Sequence, residues 1–261
     1  MAEETRDTRA MKYERMKENL VKLKLKDMAD SLDMVLEKIQ SGVLDKDDLL
    51  LTLTETELKA REKRRIKHSV DTANFPFMKT LDDFDYGFQP FLSREMIIGY
   101  KDLRFLDCHQ NIVLTGPAGV GKTHIAVGIG IEASMNGNST YYIDARKLLK
   151  DLKKAEYEKR IENRIRKLKS YKLLIIDGLA YLPVGEEETR QLFELISERH
   201  ARKSTIVISN RLPSEWGKKM GDPQTVEQMI DLLADYESRF IHINGPSYRR
   251  RHLANIEDDP E

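Results

Sequence analysis

The segment Gly116-Pro117-Ala118-Gly119-Val120-Gly121-Lys122-Thr123 constrains the fold of this chain more than any other. It fits G-x-x-x-x-G-K-[ST], follows the apolar run 112–114 and opens a helical pattern over 125–135. The glycines let the backbone curl so that successive N–H groups face one point, and the helix N-terminus adds a favourable dipole for phosphate. The expected ligand is ATP with Mg²⁺. Lys122 would reach the β and γ phosphates, and Thr123 would offer its hydroxyl to the metal, whose octahedral shell takes a protein oxygen beside phosphates and water. A chance glycine-rich turn is the plain alternative, and the strand before it and the helix after it argue against that.

From this loop onward strand and helix patterns alternate, with short apolar runs at 112–114, 141–143, 173–176, 205–209 and 240–243. That rhythm predicts an α/β fold: a three-layer P-loop core around a parallel five-stranded sheet. Ahead of it, 11–68 is helical in pattern, with Met16, Leu20, Leu23, Leu25 and Met28, then Leu32, Met34, Leu36 and Ile39, at three- and four-residue spacings. Ser41-Gly42 breaks the run, so a small all-α N-terminal domain of several short helices is expected, its stripes core rather than ligand platform. The stretch 74–91 mixes aromatics with Pro76 and Pro90 and suits a connector laid over another surface. The expected domains are 1–74, helical, 75–250, nucleotide-binding, and 251–261, a tail.

Three further positions carry candidate chemistry. Lys172-Leu173-Leu174-Ile175-Ile176-Asp177 reads as a buried strand ending in a carboxylate, which makes Asp177 the second candidate for the magnesium shell. Many ATPases of this layout have an acid next, to polarise the attacking water; here Gly178 has no side chain, so hydrolysis stays open while binding does not. Thr205 to Asn210 is another strand pattern ending in an amide, and Asn210 is a candidate sensor of the γ-phosphate or the water, or else a turn asparagine. Arg239, just before the last strand, is placed for a finger reaching a neighbour's ATP, or for a surface ion pair.

The charges balance, 44 basic against 44 acidic residues, so any nucleic-acid contact must come from local clusters. One lies between Arg146 and Lys169, where basic residues exceed acidic ones by seven, 11 against 4. Glu156, Glu158 and Glu162 are interleaved there, which also fits a solvated helix with i to i+4 ion pairs. The basic run from Lys59 to Lys67 and Arg249-Arg250-Arg251-His252 add two more patches. The lone Cys108, the charged start and apolar runs far below the ~20 residues of a membrane span predict a cytoplasmic protein without a membrane segment.

These residues together resemble the IstB-type transposition ATPases, of the AAA+ branch that also holds the DnaC-like helicase loaders. The resemblance rests on Phe75-Pro76, Lys79-Thr80-Leu81, Phe84-Asp85, Gln89-Pro90, Asn111 to Leu114, Gly116 to Thr123 with His124-Ile125-Ala126, and Leu174 to Asp177. It continues through Tyr181-Leu182-Pro183, Ser209-Asn210, Glu215-Trp216-Gly217 and Gly245-Pro246-Ser247-Tyr248-Arg249. It implies an AAA+ core, with His124 joining the nucleotide-binding residues, ATP-dependent self-assembly on duplex DNA, and partnership with a transposase that the assembly recruits or stimulates. The chain departs from the family pattern at Gly178, where an acid is usual, at Ala180, often glycine, and at Asp231-Leu232-Leu233, where Asp-Arg-Leu is expected and Arg239 is the nearest substitute. A helicase loader, a P-loop kinase and a non-hydrolysing DNA scaffold remain as alternatives; no lid arginine cluster follows the third strand, as a kinase would need.

Overall fold

A computed structural model describes residues 2–181, 183–235 and 238–251. Leu182 of the Tyr-Leu-Pro segment, Tyr236 and Glu237 ahead of Arg239, and the tail from His252 lie outside the described residues. The chain divides into two compact units, Met1–Lys67 and His68–Glu261.

The first unit is built from α1 (Ala2–Lys22), α2 (Lys26–Gln40) and the start of α3 (Leu49–Thr72), with a turn after Gln40 where Gly42 takes φ 74°. Met28, Leu32 and Val35, spaced on one face of α2, close over Leu53, while Leu20, Leu25, Leu36 and Ile39 are partly buried beside them. The expectation that the whole stripe is core fails at Met16, Leu23 and Met34, which are 40, 67 and 51% exposed; such residues fall off the one face that meets Leu53. Glu57 is buried here, and its carboxylate accepts from the Asp27 and Met28 amides at 2.9 and 3.2 Å and from Arg61 Nε at 2.7 Å. It thereby satisfies the first orphan N–H groups of α2, a task the N-cap residue Leu25 cannot perform.

The second unit continues through α4 (Arg94–Gly99), α5 (Arg104–Asp107), β1 (Ile112–Thr115), α6 (Lys122–Met135), β2 (Thr140–Asp144), α7 (Ala145–Tyr157) and α8 (Ile161–Ser170). It then runs through β3 (Leu173–Asp177), α9 (Glu186–Arg199), β4 (Ser204–Ile208), α10 (Pro223–Leu233) and β5 (Arg239–His242). The five strands form one sheet in the order β2-β3-β4-β1-β5, and every neighbouring pair is parallel. Alternate residues feed two cores. Ile112, Leu114, Ile175, Ile206 and Ile208 pack with Ile125 and Ile129 of α6 and with Leu81 and Phe84 of the connector. Val113, Ile143, Leu174, Ile176 and Val207 pack with α7 to α10 and with Trp216, which is fully buried. Both faces are covered, which is why the strands read as continuous apolar runs.

One buried cation ties the second layer together. Arg199, 1% exposed, donates to Thr205 Oγ1, to the Leu168 and Tyr171 carbonyls and to the Ser204 carbonyl, linking α8, α9 and β4. Burial pushes its pKa down to about 9. Among the described residues, no helix is long and apolar enough to cross a membrane.

Candidate functional site

Because all strands are parallel, the C-terminal ends of β1, β3 and β4 lie on one side of the sheet, and the segments that follow them converge there. After β1 comes the loop from Gly116 to Gly121, Asp177 closes β3 with Gly178 next, and Asn210 follows β4. A cavity of about 830 Å³ opens at this edge, lined among others by Ala118 to His124, Asp177, Gly178 and Asn210. Gly116 and Pro117, which open the loop, do not line the cavity and accept from Lys122 Nζ through their carbonyls.

The loop is shaped for a phosphate chain. Gly121, the N-cap of α6, has φ 103°, and a Cβ there would lie 2.4 Å from the Phe84 ring, so only glycine fits. Among the described residues, no hydrogen bond from the amides of Gly119 to Thr123 to a protein acceptor is found, leaving these donors at a helix start. Lys122 is buried and donates to the Gly116 and Pro117 carbonyls at 2.7 and 2.6 Å. Burial pushes its pKa down to about 8; the nearby Asp177 charge opposes that and Arg249 adds to it. An ammonium short of counter-charge beside unpaired amides suits a polyanion.

Asp177 ends β3, and its Oδ2 accepts from Thr123 Oγ1 at 2.7 Å and from the Tyr142 hydroxyl at 2.8 Å. Thr123 and Asp177, the two residues expected to share a magnesium shell, are therefore in direct contact. Hydroxyl and carboxylate oxygens are the donors that Mg²⁺ takes, so the pair fits the ion. Burial, then the Asp177 charge, holds the Tyr142 phenol far above its ordinary value, so it stays a proton donor. Asn210 is exposed at the rim. His124 Nε2 lies 2.8 Å from the Thr80 carbonyl, its ring edge-on to Phe84 and Phe77; burial lowers its pKa.

Arg239 is not at this cavity. It begins β5 in register with Ile112, at the far end of the sheet from the loop, and is exposed. The arginines that line the cavity are Arg146 and Arg249. Arg249 follows a turn held on the loop by the Tyr248 amide, which donates to the Gly119 carbonyl at 3.0 Å. The sequence reading placed Arg249 in a basic patch and passed over Tyr142. The segment Gly245-Pro246-Ser247-Tyr248-Arg249 was the signal for the first; for the second, Tyr142 shares the sheet face of Asp144 and Asp177 by alternation.

The model of the IstB-like ATP binding proteins matches residues 18–255. The chain belongs to that family. It is 38% identical over 247 residues to the ATP-binding protein of insertion sequence IS232 from Bacillus thuringiensis subsp. berliner, covering 95% of this chain and 98% of that one. The ATP-binding protein of insertion sequence IS21 from Pseudomonas aeruginosa is 31% identical over 230 residues, 88% of this chain and 86% of that one. The crystal structure of the DnaC helicase loader shares the fold, with a TM-score of 0.53 at 19% identity over 63% of this chain and 96% of that one. The nucleotide-binding core thus has the fold that the DnaC helicase loader also has.

The departures from the IstB-like pattern have backbone consequences. Gly178 has φ 87° with nothing within 4 Å of a would-be Cβ, while its amide donates to the Ile208 carbonyl at 2.9 Å. Ala180 is left-handed too, at φ 57°, and buried, which explains why glycine suits that position.

Proposed function

We propose that this chain binds Mg-ATP and, with it, assembles on duplex DNA to assist transposition by recruiting or stimulating a transposase. The observation that carries the reading is the meeting of Lys122, the unpaired loop amides and the Thr123–Asp177 pair at one cavity. Gly116 to His124 would hold the nucleotide, and Thr123 with Asp177 would hold Mg²⁺, which when bound neutralises phosphate charge. Asn210 would contact the γ-phosphate or the water. Arg249 would meet the chain's own nucleotide, and Arg239, distant from that site, would act only on a neighbour in a homo-oligomer. In domain terms, the helical unit Met1–Lys67 would serve assembly or partner contact, and the unit from His68 would carry the nucleotide and DNA. The insertion-sequence origin of the named relatives favours transposition over helicase loading.

For DNA, the outer stripe of α7 carries Arg146, Lys150, Lys153 and Lys154, all exposed, with Tyr157 90% exposed in the last turn. Arg146, Lys153 and Lys154 pair with Asp144, Glu188 and Glu158 at 3.3, 3.4 and 4.0 Å but keep well-exposed side chains, whereas Arg164 is mostly buried, is held by Asp151 at 2.9 Å and is a poor phosphate contact. Reversing Lys150, Lys153 and Lys154 to glutamate should weaken binding to all duplex sequences alike and flatten the salt slope by roughly 3. Electron microscopy with ATP and duplex DNA should show rings or filaments. DNA affinity that ignores both ATP and these reversals would refute the reading, and retention of a replicative helicase in place of a transposase would favour a loader.

A further inference from the structure

Tyr142 links Asp177 at the nucleotide site to the two residues that follow α3. Its hydroxyl donates to Asp177 Oδ2 at 2.8 Å, on the same oxygen that Thr123 Oγ1 reaches at 2.7 Å. Its backbone is pinned from the other side. The Tyr142 amide donates to the Ala73 carbonyl at 2.8 Å, and the Tyr142 carbonyl accepts from Asn74 Nδ2 at 2.9 Å. β2 is an edge strand, so these two residues after α3 stand where a further strand would pair. Asn74 reaches this position with φ 60°, which asparagine tolerates better than most residues.

Two donors on Oδ2 leave Oδ1 of Asp177 without a described hydrogen-bond donor. The two are not equivalent. Thr123 belongs to the phosphate loop, and its hydroxyl is the one expected to turn to a metal; Tyr142 belongs to the sheet and has no such second task. When Thr123 turns away, the tyrosine is the donor that still fixes the carboxylate's rotation.

We propose that Tyr142 is a positioning residue for Asp177, and that Ala73 and Asn74 belong to the nucleotide site through it by holding the edge of β2. The inference rests on the Mg-ATP reading above. The carboxylate keeps one oxygen tied to the sheet and presents the other to the cavity, so its orientation is set before any ion arrives. Groups that orient a metal-holding carboxylate typically change metal affinity 10- to 100-fold when removed, whereas the phosphate contacts of the loop do not depend on them.

The test is a magnesium titration of methylanthraniloyl-ATP binding to the full chain, with parallel binding in EDTA, for wild type, Tyr142→Phe and Asn74→Gly. Phenylalanine keeps the ring and removes only the donor; glycine keeps the positive φ and removes only the amide. Tyr142→Phe should raise the magnesium concentration needed for half-maximal tight binding roughly 10-fold or more, with EDTA binding unchanged. Asn74→Gly should raise it less, in the same direction. An unchanged magnesium requirement in Tyr142→Phe overturns the proposal, and so does an equal loss with and without magnesium, which would mark the tyrosine as merely structural. A wild-type protein that takes no nucleotide at any magnesium concentration overturns the Mg-ATP reading itself and this inference with it.

Discussion

Replacing Gly178 by glutamate probes whether the missing acid limits turnover, and the backbone sets what the replacement costs. Gly178 has φ 87°, where an L side chain is disfavoured by about 1–2 kcal/mol. No atom lies within 4 Å of the would-be Cβ, so no clash adds to this strain, and about 0.4–1 kcal/mol of lost unfolded-state freedom offsets part of it. For a domain of this size each kcal/mol lowers Tm by about 2–4 °C, so a drop of at most about 6 °C is expected. Gly178→Ala should show the same drop without the carboxylate, and it is the proper reference for the rate. Relative to it, Gly178→Glu should raise ATP turnover roughly 10²-fold or more with ATP affinity unchanged, since a positioned base acts on the proton transfer while the loop and Lys122 supply the affinity. The assay is phosphate release with excess duplex DNA, beside a thermal melt of each variant. Equal turnover in Gly178→Ala, Gly178→Glu and wild type would show that another group supplies the base or that assembly is limiting.

Three further outcomes follow from named contacts. Ala180→Gly should be nearly neutral in a thermal melt: relief of about 1–2 kcal/mol of left-handed strain is offset by a buried methyl worth about 0.8 kcal/mol and by about 0.4–1 kcal/mol of added unfolded-state freedom, and a loss beyond 2 kcal/mol would show that packing dominates. Nucleotide affinity should fall by up to about tenfold per pH unit above pH 8, because the Lys122 pKa is pushed down to about 8 and the phosphates require its protonated form; a binding titration with unchanged affinity from pH 7 to pH 10 would contradict this. Glu57→Ala should destabilise the N-terminal unit by about 2–3 kcal/mol, read by urea unfolding; burial pushes this carboxyl up, but Arg61 and the Met28 and Asp27 amides hold it below its ordinary value of 4.5, so its contribution is present at neutral pH and is lost as the pH falls below that value.

The parts legible in the sequence are those encoded by local pattern. All five strands fall within about two residues of the apolar runs; β1, β3 and β4 are buried on both faces and need no partner information to be recognised, while the half-exposed β5 is legible from its Phe240 to Ile243 run alone. The helical N-terminal region and its break at Ser41-Gly42 were legible for the same reason, through spacing and a turn signal. What stayed hidden depends on which elements become neighbours. Tyr142 meets Asp177 only because β2 flanks β3, and Arg249 meets the loop only because the turn at Tyr248 is bonded back to Gly119. The exposed Met16, Leu23 and Met34 show the converse: apolar spacing identifies helices, but which residues face the core is set by packing that spacing alone does not give.

Titration of ATP with magnesium against the wild-type protein and against Lys122→Ala tests the central claim most directly. The wild type should bind saturably, and the variant should lose that binding while keeping its circular dichroism and melting cooperativity, since among the described residues the ammonium's hydrogen bonds go to the Gly116 and Pro117 carbonyls of the loop. Unchanged ATP affinity in a folded Lys122→Ala protein would contradict the account.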